Sequence, residues 1–360
     1  MYNKNDVAIL YLDSLKLTYK TMHKILKIVD EPQDIFLKNN LKKLSESLPV
    51  SALEKLNKFS FEELENSLTK DLEKFNIFAV TICSNLYPQN LKNIPDPPFV
   101  LYTIGDVSLL KKQKIGIVGT RTPSNYGRDM ANKFSRELCN AGLVTVSGLS
   151  YGIDTCVAVS SLESKGKTIA VLAGGLDSIY PAQNIDLSRK ISQNGLLVSE
   201  YRPYIKPRQY SFISRNRIIS GLSDGVLVVE AGRKSGATST AMFCVEQGRE
   251  LFVLPGNITS PQSFGTNDLI NEMPDCFTIS SSQILNRLKV SNPVNNSKKQ
   301  IQLDLISQQI VDLLSDGEVH FDNICAAINQ SASQTASSLT MLEIMGIIKK
   351  LSGNFYSLVY

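Results

Sequence analysis

Between residues 115 and 256 the apolar positions fall into short runs, separated by longer stretches that mix apolar and polar residues. The runs are almost continuously apolar and rich in β-branched side chains, as strands buried on both faces are. Most of the intervals are long enough for a helical crossover, so the pattern predicts an α/β fold with a doubly wound, mostly parallel sheet. The six predicted strands lie at 115–119, 143–148, 168–175, 196–200, 226–232 and 251–256.

The chain before this region has a different pattern, rich in leucine and lysine with helical spacing. Ile25, Leu26 and Val29 form one apolar stripe of this kind, and Pro32 interrupts it. We therefore expect a small helical domain over residues 1–72, followed by the α/β domain over residues 73–286.

The last part of the chain predicts a further domain. Residues 287–300 are polar and include Pro293, which is typical of a linker. Residues 301–346 contain three helical pieces, and two apolar strands then flank a Ser-Gly-Asn sequence that suits the turn of a β-hairpin. Three helices and a hairpin predict a winged-helix domain over residues 301–360.

Bulk composition narrows the classes of function. The chain of 360 residues has a net charge of +4, which is mild, so any anion site has to come from local clustering. Its six cysteines form no CxxC pair, which indicates reduced thiols and a cytoplasmic protein. No apolar run approaches about 18 residues, so we expect no membrane span. With only two histidines, His23 and His320, we expect no zinc site and no histidine-based nucleophile. We also predict no cofactor.

Small residues follow four of the predicted strands. In an open α/β sheet, ligands bind beyond the carboxyl ends of the strands. Glycine lets a phosphate approach the backbone, and the exposed N–H groups at a helix start attract anions. Each turn alone is weak evidence, because turns between strands and helices are glycine-rich in any case. Together they predict a phosphate-contacting surface formed by Gly119, Thr120, Arg121, Gly148, Gly174, Gly175, Ser235 and Gly236.

Two familiar nucleotide-binding motifs are not met. Gly166, Lys167 and Thr168 resemble the end of a P-loop, but Ser161 stands where that motif needs glycine. The same segment also precedes a predicted strand instead of opening a helix. No GxGxxG sequence follows any predicted strand, which weakens the case for a dinucleotide site.

A strip of bases and aromatic residues follows the predicted strand 196–200. Residues 201–223 contain no Asp or Glu. Arginine binds phosphate oxygens in pairs, and aromatic rings stack on bases without sequence preference, so the strip predicts contact with single-stranded nucleic acid. A solvated basic face remains the alternative, both here and for a second cluster of seven bases over residues 111–136. The strip contains Arg202, Lys206, Arg208, Arg215, Arg217, Tyr201, Tyr204, Tyr210 and Phe212.

Several motifs in the same order resemble the DprA/Smf family of DNA-processing proteins. They include IVGTRTPSNYG, VSGLSYGID, FISRNRIISGLSDGVLVVEAG and EQGRELFVLPGN, and the resemblance runs from about residue 76 to 280. It implies a Rossmann-like core between a winged helix and a small N-terminal helical domain of the SAM or helix-hairpin-helix kind. It also implies a homodimer that binds single-stranded DNA, protects incoming strands and loads the RecA recombinase during natural transformation, without established catalysis.

The resemblance also assigns site residues. The family's phosphate loop falls on Gly119, Thr120 and Arg121, its RNR motif on Arg215, Asn216 and Arg217, and its Ser-Gly turn on Ser235 and Gly236. The predicted DNA-binding set is completed by Gly148, Gly174, Gly175, Lys206, Arg208 and Phe212. The sequence departs from the family where Ser150 and Tyr151 replace its usual Ala-Arg, so an aromatic side chain stands in place of a base.

An enzyme is the alternative function. Nucleotide phosphoribohydrolases resemble this chain in layout and use a PGGxGTxxE loop, whose carboxylate helps to cleave the N-glycosidic bond. The corresponding loop here lacks that glutamate. The remaining candidates, Asp154, Asp177 and Glu230, equally suit helix caps or loop N–H groups. We therefore predict a protein that is not an enzyme.

The winged helix by itself would suggest a sequence-specific transcription regulator, because the third helix of such domains often enters the major groove. Residues 301–346, however, contain six acids and neither Lys nor Arg. Attraction to phosphates supplies nearly all non-specific affinity for DNA, so we predict that this domain does not bind DNA tightly. It is then either a stabilising appendage or a protein-contact module.

Overall fold

The computed structural model describes residues 2–58, 61–290 and 303–358. Internal contacts divide the chain into two compact units, Met1–Val294 and Asn295–Tyr360. Within the described ranges, no helix is both long and apolar enough to span a bilayer. All six cysteines are free thiols.

The first unit combines N-terminal helices with a large α/β sheet structure. Its N-terminal helices are α1 (Lys4–Ser14), α2 (Tyr19–Ile28), α3 (Lys38–Leu44), α4 (Val50–Lys58) and α5 (Phe61–Lys74). Its strands are β1 (Phe78–Thr81), β2 (Val100–Gly105), β3 (Lys114–Val118), β4 (Val144–Ser147), β5 (Thr168–Leu172), β6 (Leu196–Ser199), β7 (Gly225–Val228) and β8 (Glu250–Val253). Its other helices are α6 (Gln89–Lys92), α7 (Asn125–Asn140), α8 (Ile153–Glu163), α9 (Ile185–Asn194), α10 (Gln209–Leu222), α11 (Gly236–Glu246), α12 (Phe264–Glu272) and α13 (Ser281–Arg287).

The eight strands form one sheet in the order β1-β2-β6-β5-β4-β3-β7-β8. Strands β3 to β8 pair in parallel with one another, and β1 and β2 add an antiparallel edge beside β6. Every residue of β3, β4, β5, β6 and β7 is buried, which explains the continuous apolar runs. All six predicted strands are present, and the predicted α/β fold with a mostly parallel sheet is confirmed.

The two antiparallel strands were not predicted. β1 pairs with β2 so that Phe78 lies opposite Thr103 and Thr81 lies opposite Val100. β2 pairs in turn with β6, with Gly105 opposite Leu196. β1 has only four residues and alternates little in polarity, so no period of two marks it in the sequence.

Helix α1 attaches the N-terminal helices to this sheet. Its residues 7–12 are all buried, and the Oη of Tyr102 in β2 donates a 2.6 Å hydrogen bond to Oδ2 of Asp13. The Oη of Tyr11 donates to the carbonyl of Ala52, which ties α1 to α4. These helices share one apolar cluster with residues of the sheet. They therefore pack on the α/β core, and the proposed boundary at residue 72 stays a prediction.

The predicted linker 287–300 lies only partly within the described residues. Arg287 is the last residue of α13, and Leu288 is buried in the apolar cluster between α7 and the sheet. Gln113 donates from Nε2 to the carbonyl of Leu288 at 2.8 Å. The rest of the predicted linker, from residue 291 onward, lies outside the described residues.

The second unit folds around its own apolar cluster, which includes Ile310, Leu339 and Tyr356. Its elements are α14 (Leu305–Leu314), β9 (Val319–His320), α15 (Phe321–Ile328), α16 (Ala332–Ile344), β10 (Ile348–Lys350) and β11 (Phe355–Leu358). Strand β11 pairs antiparallel with both β10 and β9. Gly353 has a φ of 75° in the turn between β10 and β11, where glycine is favoured. Three helices and a hairpin confirm the predicted winged helix.

The surface of the second unit is acidic. Over residues 303–358 there are two lysines, Lys349 and Lys350, against six acids, which gives a net charge of −4 with neutral histidine. All six acids are exposed. They are Asp304, Asp312, Asp316, Glu318, Asp322 and Glu343.

Candidate nucleic-acid interface

The sheet reverses its winding direction at β3. From β3 the chain proceeds outward through β4, β5 and β6, and then crosses back to β7 and β8 on the other side of β3. Such a reversal opens a crevice at the carboxyl ends of the strands. A cavity of about 770 Å³ lies there, bounded by the loop after β3, the first turns of α10 and the loop from β7 to α11.

Most of the predicted residues line this cavity. They are Gly119, Thr120, Arg121, Arg208, Phe212, Arg215, Asn216, Ser235 and Gly236. The cavity wall also contains residues that the sequence interpretation did not assign to DNA, namely Ser150, Asp154, Tyr180 and Lys234. Of these, Lys234 had a usable signal, because it is a base in a loop already predicted to contact phosphate. Contact between any of these residues and DNA remains a prediction.

Three exposed cations stand around the cavity, Arg121, Arg208 and Lys234. Within the described part of the chain, none of the three forms a salt bridge with a carboxylate. Guanidinium groups bind phosphate through two parallel N–H donors, and an ammonium group binds it as a point charge. The cavity therefore presents positive charge that the protein itself does not neutralise.

Phe212 provides an aromatic wall of the cavity beside Arg121. Its ring meets that of Tyr180 at a tilted angle of 63°, with the ring centroids 5.5 Å apart. The guanidinium carbon of Arg121 lies 5.3 Å from the centroid of the Phe212 ring, which is the distance of a cation–π contact. A ring beside an arginine can stack on a base whose phosphate the arginine binds, and such stacking contributes about 1–3 kcal/mol per base.

Helix α11 begins at the cavity. Ser235 caps it, because its Oγ accepts a 3.3 Å hydrogen bond from the backbone N–H of Ala237. Apart from its chain neighbours and the backbone of its own helix, no described atom lies within 4 Å of the position that a Cβ on Gly236 would take, so the backbone there is open to a ligand. Asn216 donates from Nδ2 to the carbonyl of Gly236 at 3.2 Å, which joins α10 to this helix start. The positive end of the helix dipole thus faces the cavity and favours an anion.

Arg215 forms the floor of the cavity and is buried. Its Nη1 donates to the carbonyl of Gly148 at 2.6 Å and to that of Val171 at 2.5 Å. Its Nη2 donates to Oγ of Ser150 at 3.5 Å. Burial lowers the pKa of Arg215 to about 10, although the carboxylate of Asp154 opposes that change, so the group is charged at neutral pH. A fixed positive charge therefore lies beneath the open part of the cavity.

Two of the predicted glycines are required by protein packing. A Cβ on Gly119 would lie 2.5 Å from Cγ1 of Ile153. A Cβ on Gly148 would lie 2.0 Å from Nη1 of Arg215. The sequence interpretation attributed the absence of a side chain at both positions to phosphate contact, whereas close contact with α8 and with a buried arginine already explains it.

Five predicted residues do not line the cavity, namely Gly148, Gly174, Gly175, Lys206 and Arg217. Arg217 is the clearest case, because its Nη2 donates to Oε2 of Glu200 at 2.7 Å and its Nε donates to Oδ2 of Asp96 at 3.3 Å. Two carboxylates thus neutralise its charge, which leaves it a poor phosphate ligand. Lys206 is exposed on the segment that precedes α10.

The second basic cluster, residues 111–136, does not form one surface. Lys114 is buried at the amino end of β3, where its Nζ donates to the carbonyls of Leu110 and Lys112. Burial lowers the pKa of Lys114 to about 8. Arg121 follows the opposite, carboxyl end of the same strand, and it alone of these bases reaches the cavity among the described residues.

The three carboxylates considered for catalysis bind loop N–H groups. Glu230 is 1% exposed, and its two oxygens accept from the backbone N–H and the Oγ of Ser124 at 2.8 and 2.6 Å. Asp154 accepts from the backbone N–H of Ser150, and Asp177 accepts from that of Tyr204. These contacts give each carboxylate a structural role, so the phosphoribohydrolase alternative is not favoured.

Comparison with known proteins identifies the family that the chain resembles. Residues 78–289 match the family described as DNA recombination-mediator protein A, and residues 296–354 match the DprA winged helix domain. DNA processing protein DprA of Bacillus subtilis is 47% identical over 197 residues, which are 54% of this chain and 66%, just under two thirds, of that protein. Protein Smf of Escherichia coli is 34% identical over 309 residues, which are 83% of this chain and 82% of that protein.

Two solved structures are similar in both fold and sequence. DNA processing protein A (DprA) from Streptococcus pneumoniae superposes with a TM-score of 0.64 at 31% identity, over 79% of this chain and 98% of that one. DNA processing protein A from Helicobacter pylori, whose structure concerns its unique single-stranded DNA binding mode, superposes with a TM-score of 0.54 at 34% identity, over 59% of this chain and 95% of that one. These matches confirm the resemblance inferred from the motifs, and the chain belongs to the DprA/Smf family of DNA-processing proteins.

Proposed function

We propose that the cavity at the carboxyl ends of β3 and β7 binds single-stranded DNA without sequence preference. The observation that carries this proposal is the contact between Arg121 and Phe212 beside an open cavity. It places a phosphate-binding group directly beside a stacking surface. The single-stranded DNA binding mode of the Helicobacter pylori relative supports the same ligand.

The chemistry of the site favours a single strand over a duplex. A ring such as Phe212 can stack only on a base that has left its neighbours, and the bases of a duplex are already stacked. The cations and the start of α11 recognise phosphates, which are the same for every base. We therefore propose that affinity comes from the backbone and from stacking, while base identity contributes little.

The proposed biological role follows from membership of the family. We propose that the protein protects incoming single strands and loads the RecA recombinase on them during natural transformation. We also propose that it does so in the cytoplasm as a homodimer, and as a binding protein instead of an enzyme. The domain boundaries at 72, 286 and 300 belong to the same proposal.

The cavity is tested by removing its two exposed arginines together. Each single-strand phosphate that a protein neutralises adds about −0.7 to the slope of log affinity against log salt. We expect Arg121→Ala with Arg208→Ala to weaken binding of a labelled oligothymidylate and to make that slope shallower by about 1.4. Arg189→Ala with Lys190→Ala removes the same charge from α9, outside the cavity, and should leave the slope unchanged. If the cavity variant shows unchanged affinity and slope, the DNA site lies elsewhere on the protein.

The wider role needs two further measurements. The protein should accelerate RecA assembly on single strands that are already coated by a single-strand-binding protein, and the Arg121→Ala, Arg208→Ala variant should lose that effect. Sedimentation velocity should show a dimer that dissociates on dilution. A monomer at every concentration contradicts the homodimer, and failure to accelerate assembly contradicts the role in loading.

A further inference from the structure

The segment from residue 200 to 208 joins β6 to α10 and is called the connecting segment below. Its last two residues, Pro207 and Arg208, line the cavity. Its earlier residues include Arg202 and Tyr204, which the basic and aromatic pattern had assigned to nucleic acid. The side chains of Arg202 and Tyr204 do not line the cavity and instead contact the N-terminal helices.

Arg202 is attached to two different helices. Its Nη1 donates to the carbonyl of Leu10 in α1 at 3.3 Å, and its Nη2 donates to the carbonyl of Leu68 in α5 at 3.2 Å. Its guanidinium carbon lies 6.0 Å from the centroid of the Tyr102 ring. Burial raises the pKa of the nearby Asp13 to about 6, and the charge of Arg202 opposes that rise. An arginine engaged in this way is not oriented to bind phosphate.

Tyr204 forms a second attachment, to the end of α5. Its ring meets that of Phe75 edge to face, with the centroids 5.4 Å apart. Its Oη accepts from Nζ of Lys74 at 3.1 Å and donates to Oδ1 of Asp71 at 3.4 Å. Tyr204 has a φ of 68°, a left-handed conformation that is uncommon for a bulky residue, and its backbone N–H donates to Asp177. Surrounding contacts therefore hold this residue in place.

The loop after β5 holds the other side of the connecting segment. The backbone N–H of Gly175 donates to the carbonyl of Ile205 at 2.7 Å. A Cβ on Gly174 would lie 2.8 Å from Cδ of Pro207. A Cβ on Gly175 would lie 2.6 Å from the carbonyl oxygen of Arg202. Both glycines thus allow close approach of the connecting segment, which explains why they are glycine although they do not line the cavity.

We propose that Arg202 and Tyr204 are positioning residues for DNA binding, which fix the connecting segment to α1 and α5 and thereby hold Arg208 and the start of α10 at the cavity. The inference rests on the proposed function of the cavity. It gives the N-terminal helices a part in DNA affinity, although none of their residues lines the cavity among the described residues. Because coupling between two sites is reciprocal, bound DNA must in turn stabilise the attachment of α1 and α5.

The first test separates positioning from direct contact. We expect Arg202→Ala to weaken oligothymidylate binding about tenfold, a usual size for coupling between sites. Bound DNA should still draw Arg208 to its phosphate, at a cost in affinity, so the slope of log affinity against log salt should stay that of the wild type. Arg208→Ala should make that slope shallower by about 0.7. Arg189→Ala, which removes an exposed arginine outside the cavity, should change neither quantity. If adding Arg202→Ala to Arg208→Ala makes the slope shallower again, Arg202 itself binds a phosphate and the inference is overturned.

Two milder variants protect the test against loss of folding. Arg202→Lys keeps the positive charge near Asp13 but cannot donate to both helix carbonyls from one planar group, so it should recover part of the lost affinity. Tyr204→Phe keeps the ring contact with Phe75 and removes only the two hydrogen bonds of the hydroxyl. Tyr204 is 54% exposed, so this variant should fold and should bind a few-fold more weakly.

Hydrogen exchange gives a readout that a merely structural role would not change. In the wild-type chain, oligothymidylate should slow amide exchange in α1 and α5, and in Arg202→Ala it should not. The inference would be overturned if Arg202→Ala binds with wild-type affinity and if oligothymidylate does not change amide exchange in α1 and α5 of the wild-type chain. If Arg208→Ala and the double variant at Arg121 and Arg208 also bind normally, the cavity is not the DNA site and both proposals fail. If only Arg202→Ala and Tyr204→Phe bind normally, the positioning role alone fails.

Discussion

The guanidinium of Arg215 occupies the space that any side chain at Gly148 would need. Its Nη1 donates to the Gly148 carbonyl at 2.6 Å, and an added Cβ would lie 2.0 Å from the same atom. Because the arginine is buried, it has no room to retreat without losing its bonds to Gly148 and Val171. One glycine and one arginine therefore determine together that a cation stands under the cavity.

The first prediction concerns this pair. Gly148→Ala should displace Arg215 and lower the free energy of unfolding by about 1–3 kcal/mol, as overpacking usually does. It should also weaken single-strand binding, since the fixed charge moves. Gly236→Ala is the matched control for stability, because no described atom beyond its chain neighbours and its own helix backbone lies within 4 Å of its Cβ position. This variant should stay within about 0.5 kcal/mol of the wild type. Urea unfolding measures both variants, and a Gly148→Ala chain as stable as the control would contradict the steric argument.

The second prediction separates the two arginines of the RNR motif. Arg217→Ala leaves Glu200 without its main partner in a place where the glutamate side chain is only 15% exposed. We expect a loss of about 3 kcal/mol in the free energy of unfolding, as for other broken buried pairs. The salt dependence of DNA binding should not change. Adding Glu200→Gln should restore part of the stability, and a shallower salt slope in Arg217→Ala would instead show a phosphate contact.

The third prediction concerns pH. Burial raises the pKa of Asp13 to about 6, with Glu200 adding to the rise while Tyr102 and Arg202 oppose it. Since the folded chain holds this proton more tightly than the unfolded chain, the stability it contributes is present below about pH 4 and is lost as pH rises toward 6. Asp13→Asn lacks this titration. The wild type should therefore lose about 2 kcal/mol relative to Asp13→Asn between pH 4 and pH 7, measured by urea unfolding, and a constant difference would contradict the shifted pKa.

The fourth prediction concerns the winged helix. Its third helix, α16, contains no Lys or Arg, and the unit around it is acidic. A chain that ends at Ser291 should therefore keep its single-strand affinity within a few-fold of the full chain, as measured by fluorescence anisotropy. A loss of a hundredfold, or about 2.7 kcal/mol, would mean that the winged helix binds DNA after all.

The sequence was sufficient to predict strands β3 to β7 and the loops that line the cavity. Strands β3 to β7 are buried on both faces, so each appears as a continuous apolar run. The loops that follow β3 and β7 begin at strand ends, so their meeting at one edge of the sheet follows from the parallel arrangement. β1 was not predicted because it has only four residues, too few to show a periodic pattern. β2 was not predicted because no α-helical crossover separates it from β3.

The contact partners of each charged side chain could not be predicted from the sequence. Arg215, Arg217 and Arg202 belong to one acid-free strip. In the fold, Arg215 forms the floor of the cavity, Arg217 forms a buried ion pair, and Arg202 contacts the N-terminal helices. The carboxylate of Asp96 is 121 residues away from Arg217 in sequence, and the carbonyls that bind Arg202 are 192 and 134 residues away from it. The absence of acids within a strip does not exclude contacts with acids and carbonyls that are distant in the sequence and close in the fold.

The charge of the second unit has a consequence for kinetics. The whole chain has 38 Lys and Arg against 34 Asp and Glu, and residues 292–360, which the chain ending at Ser291 lacks, hold four of the former and six of the latter. Removing that unit turns a mildly cationic chain into a more strongly cationic one, and long-range attraction sets how fast a polyanion is captured. At low ionic strength the shortened chain should therefore show a larger association rate constant for single strands. The excess should vanish near physiological salt, where the Debye length falls to about 8 Å.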